Sequence, residues 1–582
     1  LFLFFLYTEL NFNEQRGFKM KKYLITSALP YVNGLPHLGH LIGCLLPSDV
    51  YARFLRQKGE NVLYICGTDE HGTPSEVGAA KENMPVEDYC KKYHNLHAEM
   101  YKGFNLSFDY FGRTCSEQNK EIVYRIFNEL DKNGLISEKV TRQVYSVDDG
   151  RYLPDSYVMG TCPHCGYEKA KGDQCENCTK VLDPIDLIKP RSVISGSENL
   201  EIRETKHLFL QLPKLEKELT EWIETKKGIW PDIAYSIAQK WLKEGLQERG
   251  ITRDLKWGFA VPKEGFDGKV FYVWFDAPIG YIGITKQWAD EQPSQRCFED
   301  WWLDKENVIH TEFMGKDNIP FHTITFPATL RGTGENWTEV SMLKGMNYLN
   351  FAGGKFSKSA HRGIFLDDAI KEFPADYWRY WLIANAPESD DSNFSFDQFA
   401  TTVNKDLNDV LGNFINRVLK MTVNNFGQNV PPMSVITDSE KELYSTLDTL
   451  IETYTKHMHA LEFRKAMSAL REIWVSGNNY LAKTEPWKVV KTDMDYAGTI
   501  LNTALNLIRL YAQLSAPIMP QTAQQMLDLF EISDEFVWPN LKMADYLMKI
   551  PTGTPFKLSD PLFQKIMPDK LSELKITYKE DE

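Results

Sequence analysis

No apolar run in this sequence reaches the length of a membrane-spanning helix, which argues against a helical membrane protein. The opening LFLFFLY is too short to cross a bilayer, and no basic region precedes it as a signal peptide requires. Residues 1–19 are therefore read as a non-native or mis-started extension, with Met20 as the natural start and a cytoplasmic location expected. Positive charge is in deficit too. Lys and Arg number 66 against 80 Asp and Glu, a net charge of −14, so there is no global basic footprint for nucleic acid. A local patch on an acidic protein can still bind RNA. Cysteines are few, nine in all, and five of them (Cys44, Cys66, Cys90, Cys115, Cys297) stand singly, which suits a reducing compartment. Internal repeats and low-complexity segments are absent. What is present, 43% hydrophobic and 25% charged residues over 582 positions, describes a globular protein of three or four domains.

From Lys21 to about residue 130, strand-like YLITSA and NVLYICG alternate with helical SDVYARFLRQKG and EDYCKKYHNLHAEMYKGF. This alternation argues for βαβ units on a parallel sheet, an α/β fold of Rossmann type. The pattern breaks over 134–254 and returns with KVFYVWFD and NVIHTEFMGKD, so the two halves are expected to share one sheet around an insertion. The expected division is 20–133 and 255–345 for the halves of the α/β domain, 346–400 for a glycine- and lysine-bearing loop region, 401–550 for an all-α bundle and 551–582 for a polar tail. Pro47 is expected to kink or restart the first helix, with Ser48 as its cap.

Three stretches carry chemistry. In PYVNGLPHLGH, residues 30–40, turn residues end a strand and apolar positions then take up a helical rhythm, which places His37 and His40 in a first helical turn. That turn offers free backbone N–H groups and the positive end of the helix dipole, and two histidines three apart can donate to phosphoryl oxygens. Ordinary surface histidines are the alternative. CPHCGYEKAKGDQCENC pairs Cys162 with Cys165 and Cys175 with Cys178, four thiolates able to surround one tetrahedral Zn²⁺. Four sulfurs close the coordination sphere, so the metal would be structural, with disulfides as the alternative. GGKFSKS, residues 353–359, supplies Lys355 and Lys358 on a glycine-rich loop suited to close over a triphosphate and neutralise a pyrophosphate leaving group. A solvated basic loop would look the same in isolation.

HLGH together with KFSKS resembles the two signature motifs of class I aminoacyl-tRNA synthetases, with Phe356 where that family often has methionine. ALPYVNG, GTDEHGTP, WFDAPIGYIG, GKDNIPFH and the single zinc knuckle narrow the resemblance to the methionyl-tRNA synthetase family, from about residue 21 to DPLFQKI near 560. The resemblance implies ATP-dependent activation of methionine to methionyl-adenylate, release of pyrophosphate, and transfer of the acyl group to the 3′ end of methionine tRNA. It implies Mg²⁺ accompanying ATP. His37, His40, Lys355 and Lys358 would serve catalysis, and Gly39, Gly315, Asp317 and Lys358 would contact ATP. Leu29, Tyr31, Asp69, Trp274, Ala277, Pro278, Tyr281 and His322 would form the methionine pocket, with Asp69 facing the substrate ammonium. Arg253 matches a family position near the site, and Asn318 departs from the aliphatic residue some members carry.

In the helical bundle, Asn413 and Arg417 would read the anticodon and Trp487 would stack on one of its bases. A buried Trp487 closing a helix is the alternative. A monomer is expected, because the chain ends too soon after the bundle to build the extra domain through which some relatives dimerise. The rival readings are a small-molecule nucleotidyltransferase sharing the HxGH helix, a non-catalytic RNA-binding protein of the same fold, and another class I synthetase such as the cysteine enzyme. The first leaves the knuckle and the bundle unexplained, the second leaves two intact motifs unexplained, and the third places zinc at the substrate thiol.

Overall fold

The computed structural model describes residues 21–153, 157–172, 175, 177–178, 182–354, 356, 362–530, 535–539, 542–558 and 560–580. Five strands form the central sheet: β1 (Lys22–Ser27), β2 (Asn61–Thr68), β3 (Tyr110–Arg113), β4 (Val308–Gly315) and β5 (Val340–Met346). Their spatial order is β5-β4-β1-β2-β3, and every pair is parallel. Strands buried on both faces need apolar residues throughout, as Leu24, Ile25, Leu63, Ile65, Phe313 and Met314 supply. The chain winds outward from β1 to β3, crosses an insertion, and resumes on the other side of β1 with β4. The order therefore reverses between β1 and β4, and ligands of open α/β sheets bind beyond the carboxyl ends of the strands at such a switch point.

The first helix does not restart at Pro47. Leu38–His40 is α-helical, Leu41–Leu45 is a π-helical turn, and Leu46–Gln57 continues as α-helix through a Leu45 already in helical conformation. Proline cannot donate to the helical ladder, and the π turn just before it absorbs the irregularity without ending the helix. Ser48 is accordingly no cap. Its hydroxyl is fully buried, 2.8 Å from Cys44 O, 2.6 Å from Ser27 Oγ and 2.8 Å from Tyr64 Oη, so it cross-links the helix to β1 and β2.

The insertion is built on a long antiparallel ladder, Ile136–Ser146 against Leu200–Leu210, with Ile136 opposite Leu210 and Ser146 opposite Leu200. The cysteines sit by a small sheet of Val158–Thr161, Ala170–Lys171 and Ile188–Ser192. Beyond residue 400 the main helices are Asn413–Phe426, Asp438–His459, Phe463–Thr484 and Met494–Ser515. The C-terminal stretch read as a polar tail carries its own helix, Pro568–Thr577, and buries Phe563, Ile566 and Leu574. A fully buried Arg379 ties the bundle to the sheet domain. Its guanidinium donates to Asp49 Oδ2 at 2.7 Å and to the carbonyls of Phe104, Pro517 and Ile518.

Candidate active site

A cavity of about 440 Å³ opens at the switch point. Residues following β1 (Ala28, Leu29, Pro30, Tyr31), the start of the first helix (His37, Gly39, His40, Gly43, Cys44), the end of β4 (Gly315, Asn318) and the chain after β5 (Asn347, Tyr348, Leu349, Asn350) line it. It thus collects Leu29, Tyr31, His37, Gly39, His40 and Gly315 from segments almost three hundred residues apart. Asp69, Trp274, Ala277, Pro278, Tyr281, His322 and Asp317 are not on its wall.

His37 and His40 cap the helix reciprocally. His37 Nδ1 accepts the Gly39 N–H at 3.1 Å, and His40 Nδ1 accepts the His37 N–H at 3.1 Å. A ring nitrogen that accepts cannot carry the proton, so in each neutral imidazole the N–H is at Nε2. The rings lie 3.8 Å apart, and Phe356 stacks on His37 at 4.5 Å with planes within 8°. A Cβ at Gly39 would sit 3.0 Å from His37 Nδ1, so the glycine protects this cap as well as lining the cavity. Lys355 and Lys358 lie outside the described residues.

Beyond Leu29 and Tyr31, which line the cavity, the residues expected to hold methionine form a second layer beside it. The backbones of Tyr31 and Asp69 bridge, and Tyr31 meets Trp274 edge-on at 6.4 Å. Trp274 in turn stacks flat on Phe321, 3.8 Å between centroids. Helix Val273–Asp290 carries Trp274, Ala277, Pro278 and Tyr281, and its Gly280 lets the helix approach Leu29, whose Cδ1 would stand 3.3 Å from a Cβ there. Tyr281 and His322 are buried and hydrogen-bonded at 2.9 Å, while His322 Nδ1 donates to the Asn318 carbonyl at 2.9 Å. That donation fixes the tautomer, so Tyr281 donates to Nε2. Burial holds His322 down to about 4, keeping it neutral.

Carboxyl groups are concentrated in the same layer. Asp69 is 3% exposed and its Oδ1 has no hydrogen-bond partner. Burial, then Asp276 and Glu70, push its carboxyl well above the usual range. Glu70, its neighbour in sequence, is instead fully satisfied: Arg113 donates at 2.8 Å, Thr68 at 2.8 Å and Cys115 at 2.6 Å. Asp276 makes a short contact with His71, and both are buried. Neither His71 nor Asp276 was singled out from sequence, although both stand inside the motifs quoted there. Asp317 follows Gly315 in a short 3-10 turn, where the Tyr348 hydroxyl contacts its carboxylate. Tyr348 and its neighbours Asn347, Leu349 and Asn350 were missed altogether, their only signal being position just before the lysine loop. Arg253 lies with its guanidinium 3.6 Å over the Tyr272 ring.

Two further sites complete the geometry. The four sulfurs of Cys162, Cys165, Cys175 and Cys178 all lie within 4.8 Å of one another, with Cys162–Cys178 at 3.8 Å and Cys165–Cys175 at 3.6 Å. A tetrahedral Zn²⁺ with bonds of about 2.3 Å requires S···S separations of about 3.8 Å, so the donor set fits that ion. None of the four forms a disulfide. On the bundle, Asn413 is exposed, Trp487 is 37% exposed, and the Arg417 guanidinium lies 5.5 Å over its ring. Trp487 is thus a surface ring rather than a buried helix stop.

The family described as "tRNA synthetases class I (M)" matches residues 23–419, and the "Anticodon binding domain of methionyl tRNA ligase" matches residues 430–581. The chain belongs to the methionyl-tRNA synthetase family. Among curated relatives of that family, the methionine–tRNA ligase of Streptomyces avermitilis is 52% identical over 566 residues, 96% of this chain and 99% of the relative. Methionine–tRNA ligase 1 of Acaryochloris marina is 52% identical over 557 residues, with the same coverage. Among solved structures, the Mycobacterium tuberculosis methionyl-tRNA synthetase in complex with methionyl-adenylate superposes with a TM-score of 0.75 at 25% identity, covering 94% of this chain and all of that one. Relatives match across the Rossmann halves, the insertion and the bundle alike, so the family assignment rests on the whole architecture and not on two motifs.

Proposed function

We propose that the switch-point cavity is where this methionine–tRNA ligase joins methionine to ATP, and that the bundle face at Asn413, Arg417 and Trp487 reads the anticodon. The observation that carries the first half is the reciprocal histidine cap. It fixes both Nε2–H donors beside a helix N-terminus, where the phosphates of a nucleotide would meet them. In the first step the methionine carboxylate oxygen attacks the α-phosphorus and the bond to the β,γ-pyrophosphate breaks, leaving methionyl-adenylate. His37 and His40 hydrogen-bond the phosphoryl oxygens as charge moves toward pyrophosphate, and Lys358, with Lys355, neutralises that charge. Asp317 and Gly315 contact the ribose, while Gly39 leaves room for the base. Asp69 receives the ammonium, and Leu29, Tyr31, Trp274, Ala277, Pro278, Tyr281 and His322 enclose the thioether. In the second step a terminal ribose hydroxyl of methionine tRNA attacks the acyl carbon and AMP leaves.

Mg²⁺ enters with ATP as part of the substrate. Cys162, Cys165, Cys175 and Cys178 hold one Zn²⁺, a closed thiolate site that shapes the insertion. The enzyme acts as a cytoplasmic monomer, with domain limits as read from the sequence, and light scattering at low concentration should return a single 67.2 kDa chain. The deciding experiment is ATP–pyrophosphate exchange run separately with each standard amino acid. Methionine alone should drive exchange at low concentration, and exchange driven preferentially by another amino acid would overturn the reading.

A further inference from the structure

Helix Phe463–Thr484 has 22 residues, about 33 Å at 1.5 Å per residue. At its far end Glu485 adopts a left-handed turn (φ 43°), and the next short helix, Pro486–Val489, presents Trp487. Its near end lies against the sheet domain. There the helix's own N-cap, Glu462, makes no side-chain cap. Glu388, 75 positions earlier, does so instead. Its carboxylate accepts the N–H groups of Phe463 at 3.0 Å and Arg464 at 2.9 Å, and Lys344 of β5 donates to it at 2.6 Å. The Lys344 and Glu388 side chains are 9% and 15% exposed, a mostly desolvated pair.

The backbone beside Glu388 holds the other end of the chain of contacts. Asn347 donates its N–H to the Pro387 carbonyl at 2.8 Å and its side-chain amide to the Glu388 carbonyl at 3.3 Å. Three residues on, the Asp391 carboxylate accepts the Tyr348 N–H at 3.0 Å and Lys316 at 2.9 Å. Strand Leu349–Phe351 then pairs in parallel with Ser392–Phe394. Asn347, Tyr348, Leu349 and Asn350 form one part of the cavity wall. One short segment, residues 387–394, is therefore fastened to the helix that leads to Trp487 through the Glu388 side chain, and to the cavity wall through the Pro387 and Glu388 carbonyls, the Asp391 carboxylate and strand Ser392–Phe394.

We propose that Glu388 is a positioning residue that couples occupancy of Trp487 by RNA to the geometry of the nucleotide cavity; this rests on the anticodon reading above. Because the two fastenings use different atoms, one can be cut alone. Glu388→Gln removes the charge that holds Lys344 and two helix N–H groups, and leaves the Pro387 and Glu388 carbonyls bound to Asn347. Methionine-dependent exchange without tRNA should stay within about twofold of wild type. Charging at saturating tRNA should fall about tenfold in kcat, with KM for tRNA within about threefold.

A double-mutant cycle supplies the readout that a plain structural role would not move. In the Glu388→Gln background, Trp487→Ala should cost clearly less than it costs alone. Fold losses that simply multiply, exchange that falls in parallel with charging, or charging unchanged by Glu388→Gln would each overturn the coupling. Lys344→Met combined with Glu388→Gln removes both buried charges together and should give the same kinetic pattern, which keeps the test open if the single variant folds poorly. Trp487→Ala with no effect on charging would remove the anticodon reading itself, and the coupling with it. Loss of methionine-driven exchange in wild type would instead strike the active-site reading alone.

Discussion

Asp69 offers a perturbation with two opposite signs. Its carboxyl is buried with one oxygen unpartnered, and burial together with Asp276 and Glu70 raises it well above the usual carboxylate range. The folded state then holds its proton more tightly than the unfolded state, so the associated stability is full below about pH 3.9 and is lost as pH rises toward the folded value. Asp69→Asn abolishes that loss, so its denaturation midpoint at neutral pH should lie above wild type and vary less with pH. Methionine should respond the other way. On the reading proposed above its ammonium would supply the partner the orphan oxygen lacks, and breaking a buried ion pair by removing one member costs about 3–5 kcal/mol. At about 1.4 kcal/mol per decade this is roughly 10²- to several 10³-fold in kcat/KM for methionine. Because the carboxyl must ionise to receive the ammonium, binding should release a proton, and affinity should weaken as pH falls through the raised value. Calorimetry in buffers of different ionisation heat measures the proton, and exchange kinetics measure the affinity. An Asp69→Asn enzyme that keeps methionine kcat/KM within tenfold, or wild-type binding with no proton released, would refute the reasoning.

Metal analysis of protein purified without chelator should find one zinc per chain, lost when Cys162 or Cys175 is replaced by Ser; a disulfide among the four cysteines would contradict this. Arg417→Ala should leave tRNA-free exchange near wild type and weaken charging by about 1–3 kcal/mol, as removal of a base-reading contact does. Lys358→Ala should depress exchange directly, as loss of the transition-state charge proposed above requires, and exchange near wild type would count against that role. Arg379→Leu should destabilise the whole chain by about 3–5 kcal/mol, because Asp49 loses one of its two cationic partners, keeping Arg53 and the Ser107 N–H and hydroxyl, and three buried carbonyls lose this donor. A shift of the denaturation midpoint worth under 1 kcal/mol would argue against that joint.

The sequence carried the architecture because period and punctuation are local. Alternating apolar strands and amphipathic helices, interrupted over 134–254 and resumed at NVIHTEFMGKD, already imply one parallel sheet shared by two segments. KVFYVWFD, read as part of that return, stays outside the sheet: Val270–Phe271 pairs antiparallel with Thr252–Arg253, and the chain turns into helix Val273–Asp290. The failure at Pro47 has a local cause as well. A proline inside a helical pattern reads as a break, and only the surrounding π turn, with Ser48 tied to β1 and β2, lets the helix run on. The long helix ending before Trp487 was legible as a helix. That a glutamate 75 residues upstream caps it was not, since nothing near Glu388 in the sequence announces a partner.

The site shows the same division between residue type and neighbourhood. GTDEHG reads as adjacent carboxylates of equal standing, and an extended chain sends successive side chains to opposite sides. Glu70 therefore turns toward Arg113, Thr68 and Cys115 and is fully bonded, while Asp69 turns toward Asp276 and keeps an open oxygen. Two neighbours of like chemistry thus stand differently: one has its oxygens taken up in holding β2 to β3, and the other keeps an unpartnered oxygen, the one proposed above to meet the substrate ammonium. The histidines divide in the same way. His37 and His40 face the cavity because their Nδ1 atoms are spent on the helix start, whereas His322 is buried, neutral and committed to Tyr281 and Asn318. Spacing identifies which residues can do chemistry, but the partner each has already taken decides what remains to offer a substrate.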